Sequence, residues 1–125
     1  FYSGQWMVTA EPKQKDACGL GSTTFFDQVL HLEVDGSQAS GFVDILDFHI
    51  EYTGALDGKM LTLEGSYMES QETLGLTTTI DHVESYEVTF QSLTTFTGIL
   101  HDHFEVEGAL PFSCDLYWQV TGVRQ

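Results

Sequence analysis

Leu110-Pro111-Phe112-Ser113-Cys114-Asp115-Leu116-Tyr117-Trp118-Gln119-Val120-Thr121-Gly122-Val123-Arg124, near the end of the chain, decides how the rest is read. Leu110, Phe112, Cys114, Leu116, Trp118 and Val120 fall on even positions, and polar residues take most of the odd ones. That period of two marks a strand with one face in a core. The stretch also holds one of the two cysteines and ends in one of the four basic residues. It therefore carries both features able to tie the end of the chain to its beginning.

Working outward, seven more strands are predicted. Gly4-Gln5-Trp6-Met7-Val8-Thr9-Ala10 is the first, stopped by Glu11-Pro12, since proline cannot continue a ladder. Glu11 to Ser22 is the one long connection, expected on the surface. Thr23 to Val34 alternates next, with Phe26, Gln28, Leu30, Leu32 and Val34 inward, and Asp35-Gly36 supplies a positive-φ hairpin turn. Ala39 to Asp47 is the third, with two inward sets open: Phe42, Asp44 and Leu46, or Val43 and Ile45. His49 to Leu56 follows with Ile50, Tyr52 and Leu56 inward, closed by Asp57-Gly58 as a type I′ turn. Met60 to Met68 is the fifth, with Leu61, Leu63 and Tyr67 inward, followed by a polar turn around Glu69 to Thr73. The sixth runs through Leu76, Thr78, Ile80, Tyr86, Val88 and Phe90; its apolar alternation slips between His82 and Glu84, which predicts a bulge. Thr94 to Glu107 is the seventh, with Phe96, Leu100, Phe104 and Val106 inward and Ile99, His101, His103 and Glu105 outward; Glu107-Gly108 turns into the last.

Eight strands, short connections and no stretch with helical spacing predict an all-β, antiparallel, up-and-down sheet. Closure into a barrel removes the exposed edges of such a sheet, and 125 residues suffice for one such domain over residues 1–125. In an up-and-down barrel the first strand lies beside the eighth, so Trp6 is expected next to Arg124. At the other rim the first connection brings Cys18 over the start of the eighth strand, where a Cys18–Cys114 disulfide fits. Such a bridge implies an oxidising compartment. Two free buried thiols in a cytoplasmic protein are the alternative.

At these residues the chain resembles the calycin superfamily, the lipocalin-like barrels, and small secreted barrels of that kind. Gly4-Gln5-Trp6 is similar to their Gly-X-Trp opening, and Arg124 stands where they place a basic residue over that tryptophan. The resemblance implies a barrel plugged at one end by this pair, with the long first connection partly covering the other. A guanidinium stacked on an indole is a favourable cation–π contact, which agrees with a sealed base.

The 19 acidic and 4 basic residues give a formal charge of −15, which repels nucleic-acid backbones and anionic lipid, so neither is expected as a partner. The apolar runs are a few residues long, too short for a membrane-spanning helix, and no membrane insertion is expected. Phe1 is not an initiator methionine, as expected of a processed chain. The disulfide predicts a secreted, periplasmic or cell-surface location.

Motifs for chemistry are sparse. No Ser/His/acid signature points to a hydrolase, and no cofactor is expected. His101 and His103, at i and i+2 on one strand face with Glu105 next in the row, form the one metal candidate; its third ligand would come from a neighbouring strand, such as that of His82. Asp102 is predicted to point inward among Leu100, Phe104 and Val106, where burial of an unpaired carboxylate raises its pKa. With Tyr52, Tyr67, Tyr86 and Gln28 it would form the polar end of an apolar cavity whose wall includes Trp118 and Phe104. Gly54, Gly65, Gly98 and Thr78, at inward positions, would leave that cavity room beneath the rim covered by Glu11 to Ser22. Three readings follow: a secreted binding protein for a small apolar or aromatic molecule; a barrel isomerase or cyclase using Asp102 with Tyr52; and a filled barrel acting through its acidic surface on another protein.

Overall fold

The computed structural model describes residues 1–13, 25–45, 48–108 and 111–125. Eight strands, β1 (Gly4–Pro12), β2 (Phe26–Asp35), β3 (Gln38–Ile45), β4 (Phe48–Asp57), β5 (Met60–Thr73), β6 (Leu76–Phe90), β7 (Thr95–Glu107) and β8 (Phe112–Arg124), pair in sequence order, all antiparallel. The sheet closes by pairing β1 with β8, from Trp6 opposite Arg124 to Pro12 opposite Trp118. There is no helix among the described residues.

Alternation puts the core inside the barrel. Trp6, Val8 and Ala10 of β1, Leu30 and Leu32 of β2, Leu61 and Leu63 of β5 and Val88 and Phe90 of β6 are buried. The open register of β3 resolves in favour of Val43 and Ile45: Ala39 and Val43 are buried, while Phe42 lies outside, stacked on His31 with ring centroids 4.3 Å apart. Leu46 and Asp47 are outside the described residues.

The expected bulge at His82 to Glu84 is absent. The β6–β7 register runs unbroken through Ile80↔Val106, His82↔Phe104, Glu84↔Asp102 and Tyr86↔Leu100. The apparent slip arises because the inward positions there carry a histidine and a glutamate, so the hydrophobic pattern fails while the backbone pattern holds. The polar turn expected at Glu69 to Thr73 is likewise strand. Ser70, Gln71 and Glu72 pair with Thr79, Thr78 and Thr77, threonines that suit a pleated surface, and the chain turns at Leu74-Gly75 with φ of 54° and 78°. At Gly58-Lys59 only Gly58 has positive φ, 61°, which is the type II′ pattern and not the expected type I′.

Gly54 and Gly98 leave no space of the kind expected of them. A Cβ on Gly54 would stand 1.7 Å from the Thr62 carbonyl oxygen, and one on Gly98 2.1 Å from that of Glu87. They are the points where neighbouring backbones approach as the sheet curls.

Two strand pairings stop short at the end away from Trp6. β4 pairs with β5 only from Asp57↔Met60 to Tyr52↔Gly65, and β2 with β3 only from Asp35↔Gln38 to His31↔Phe42. Among the described residues, Val43–Ile45 and Phe48–Glu51 of β3 and β4 thus pair with each other and not with β2 or β5.

The other end is sealed as the Trp6–Arg124 pairing requires. Trp6 is fully buried, 5.3 Å and 5.2 Å from the rings of Phe90 and Phe96, and its Nε1 donates to the Tyr2 carbonyl at 2.9 Å. The Arg124 guanidinium lies 5.5 Å from the Trp6 ring centroid and donates to the carbonyls of Phe1, Ser3 and Leu93. Cys114 of β8 packs against the core and is not a free thiol; Cys18, its expected partner, is outside the described residues. Trp6→Ala should leave a void under Arg124 and cost roughly 3 to 5 kcal/mol, as for other large-to-small core changes. Urea melts test this; a loss below about 1 kcal/mol, the surface range, would mean that Trp6 does not seal the base.

Candidate functional site

The unbroken register of β6 and β7 has one chemical result: three ionisable side chains enter the barrel together. His82 and Glu84 follow each other along the inner face of β6, and Asp102 of β7 stands directly opposite Glu84. All three residues are less than a tenth exposed.

His82 organises them. Its Nδ1 lies 3.1 Å and 3.0 Å from the two carboxylate oxygens of Asp102, and its Nε2 lies 2.7 Å from Glu69 Oε2 of β5. An imidazolium donating from both nitrogens satisfies both acids. Burial pulls the His82 pKa down, but the hydrogen bonds and charges of Asp102 and Glu69 outweigh it and the net shift is upward. Tyr67 lies flat on the ring, centroids 4.2 Å apart and planes within 2°, with Phe48 beyond it at 5.3 Å. Glu69 is the arm that reaches out: its side chain is 30% exposed against 10% for His82 and 9% for Asp102.

Glu84 is the group left with the least support. Tyr52 Oη donates to its Oε1 at 3.5 Å, a long contact. Burial, then the charge of Asp102, push its pKa up to about 7, against the smaller opposing effects of His82 and the Tyr52 hydroxyl. Tyr52 packs edge-on against Tyr86 at 5.3 Å, and Gln28 Nε2 donates to the Tyr86 hydroxyl. Burial raises the pKa of all three tyrosines, Tyr52, Tyr67 and Tyr86, so their hydroxyls stay neutral.

The structure thus brings together Asp102, Tyr52, Tyr67, Tyr86 and Gln28. Phe104 lies 5.7 Å from His82, and Trp118 packs edge-on against Phe26 at 5.4 Å. A groove of about 720 Å³ on the outer face of β2 to β4, beside His31, Phe42 and Glu51, includes neither Phe104 nor Trp118. Sequence reasoning missed His82, Glu84 and Glu69 as members of the site. The signal was parity: His82 and Glu84 share the even positions of Tyr86, Val88 and Phe90.

The same parity removes His82 from the outer pair His101 and His103. Those two converge instead on one oxygen of Asp115, at 2.7 Å and 2.8 Å, with Glu105 3.6 Å from His103. Among the described residues no group of three or more histidines, cysteines or acids is placed to hold a metal ion.

Chemically, Glu69, His82 and Asp102 form a hydrogen-bonded chain from the half-exposed rim to the interior, ending beside an acid that titrates near neutrality. Glu84, held at about 7 against a usual 4.5, binds its proton more tightly folded than unfolded. Its contribution to stability is therefore full below pH 4.5 and lost as pH rises to about 7, a change of about 3 kcal/mol for a fully buried group. The raised His82 pKa acts in the same sense, its contribution lost as pH rises above 6.5 through the folded value. Glu84→Gln should flatten stability between pH 4.5 and 7 and keep the decline from His82 above it. Urea melts across that range check it; an unchanged slope would show that Glu84 ionises normally.

No protein-family model, curated protein or solved structure matches the chain, so its relation to other barrels stands on its own residues.

Proposed function

We propose that the protein is a secreted, lipocalin-like binding module that takes a small apolar or aromatic molecule into the open end of its barrel and orients it on Asp102, His82, Glu84 and Tyr52. The observation that carries this reading is the inward-facing cluster, four ionisable or hydroxyl groups lying beneath a ring of partly exposed apolar side chains. Phe26, Ile45, Phe48, Tyr67 and Ile80 all face inward and remain half-buried, while the opposite end is packed tight around Trp6, Phe90 and Phe96. Burying acids costs stability that apolar residues of the same size would not, so their retention favours a role in recognition. An apolar wall with a few convergent polar groups is the usual build of a small-molecule site.

A second reading, isomerase or cyclase chemistry, draws support from Glu84 alone: an acid with a pKa of about 7 beside the His82–Asp102 pair is suited to moving a proton at neutral pH. Deuterium exchange into the bound molecule in heavy water would separate this from simple binding.

A neutral apolar fluorophore, N-phenylnaphthylamine, should bind with about micromolar affinity and quench tryptophan emission, and Trp118→Ala should alter the response. No binding by fluorescence or calorimetry would overturn the reading. Secretion is supported by the engaged state of Cys114. Thiol titration of the denatured, unreduced protein should find no reactive thiol, whereas two would refute both the Cys18–Cys114 bridge and the oxidising compartment.

A further inference from the structure

The fork between β4 and β5 is a second candidate surface, independent of the interior cluster. Beyond Tyr52↔Gly65, the two strands stop pairing. Among the described residues, Ser66 to Thr73 ladder only to β6, from Ser66↔Val83 to Thr73↔Leu76, and Phe48 to Glu51 ladder only to β3. One long edge of β5 therefore faces the fork with its backbone donors and acceptors unused by β4. At the base of the fork lies an outer-face groove of about 570 Å³, lined by His49, Glu51, Glu64, Gly65, Ser66 and Val83 among others. Val83 is 40% exposed there, and Met68, further along the edge, is 60% exposed.

We infer that this fork docks an extended, basic segment of another protein, which adds to the open edge of β5 as a strand. Strand addition requires an unpaired edge, which supplies affinity through main-chain hydrogen bonds, and side-chain sites next to it, which supply selectivity. Charge decides the occupant. Glu51 and Glu64 line the groove, Glu72 follows on the same outer face of β5, and the basic group in the groove, His49, is already held by Asp44 at 2.6 Å and Glu51 at 3.3 Å. A second copy of a chain of charge −15 is repelled from such an edge, which is how acidic residues protect exposed strands from self-association. A lysine- or arginine-bearing strand meets the opposite field, strengthened by the charge of the whole molecule. The exposed Val83 and Met68 provide apolar contacts alternating with the acids.

The probe is a short synthetic peptide alternating lysine with valine, tested beside the same peptide N-methylated at alternate residues and beside its glutamate–valine counterpart. The lysine peptide should bind, with an affinity falling as salt is raised, and should slow amide hydrogen exchange in Ser66 to Glu72. N-methylation should weaken it at least about tenfold by blocking the ladder, and the acidic peptide should not bind. Reversing the exposed charges with E51K and E64K together should also cost about tenfold or more, with the thermal melt confirming that the variant folds. Absence of binding, equal binding of the N-methylated peptide, or unchanged exchange in Ser66 to Glu72 would each overturn the inference. None of these outcomes bears on binding inside the barrel, which the neutral fluorophore reads separately.

Discussion

The ladder between β1 and β8 is the constraint on which the rest depends. It joins residues more than a hundred positions apart, Trp6 with Arg124, and turns a meander with two open edges into a closed barrel. Closure gives every strand an inside and an outside, so the parity of each residue becomes its address. The base shows how firmly the ladder is held. Trp6 fills the space between Phe90 and Phe96, and Arg124 covers it while donating to the carbonyls of Phe1 and Ser3 in the incoming chain and of Leu93 in the β6–β7 connection. An arginine fits here because its planar fork can stack on an indole and reach several acceptors at once.

Once the inside is defined, the interior is seen to divide by chemistry. The closed half is apolar and aromatic. The other half holds Asp102, Glu84 and His82 on adjoining strands, with Glu69 reaching in from the rim. Opposed carboxylates are costly at this depth, and the structure meets the cost unevenly: Asp102 takes both oxygens' contacts from His82, while Glu84 has only a distant tyrosine hydroxyl and holds its proton up to about pH 7. The two acids thus differ in their contacts, because the His82 Nδ1 reaches Asp102 and not Glu84.

The outer surface repeats the theme at lower cost. Where β4 leaves β5, acids gather on the outer face beside a strand edge that β4 leaves unpaired. The interior cluster and the unpaired edge of β5 lie in different parts of the barrel.

The sequence by itself determined the strand count, the order of pairing, the Trp6–Arg124 seal and the inward direction of Asp102, Tyr52, Tyr67, Tyr86 and Gln28, because a period of two and short turns are local properties that a closed sheet only repeats. It misplaced the site along β6. His82 and Glu84 break a hydrophobic alternation, and from sequence a polar residue at an inward position looks the same as a backbone that has slipped by one. Only the pairing of β6 with β5 and β7 on both sides separates the two cases, since an unbroken ladder forbids a bulge. The polar run Glu69 to Thr73 was misread for a related reason: its strand character comes from the threonines across the ladder, not from its own residues. Tertiary structure alone also decided the register of β3 and the fork beside β4, because both depend on where a neighbouring strand stops, which is a matter of packing between distant segments and not of any one segment's pattern.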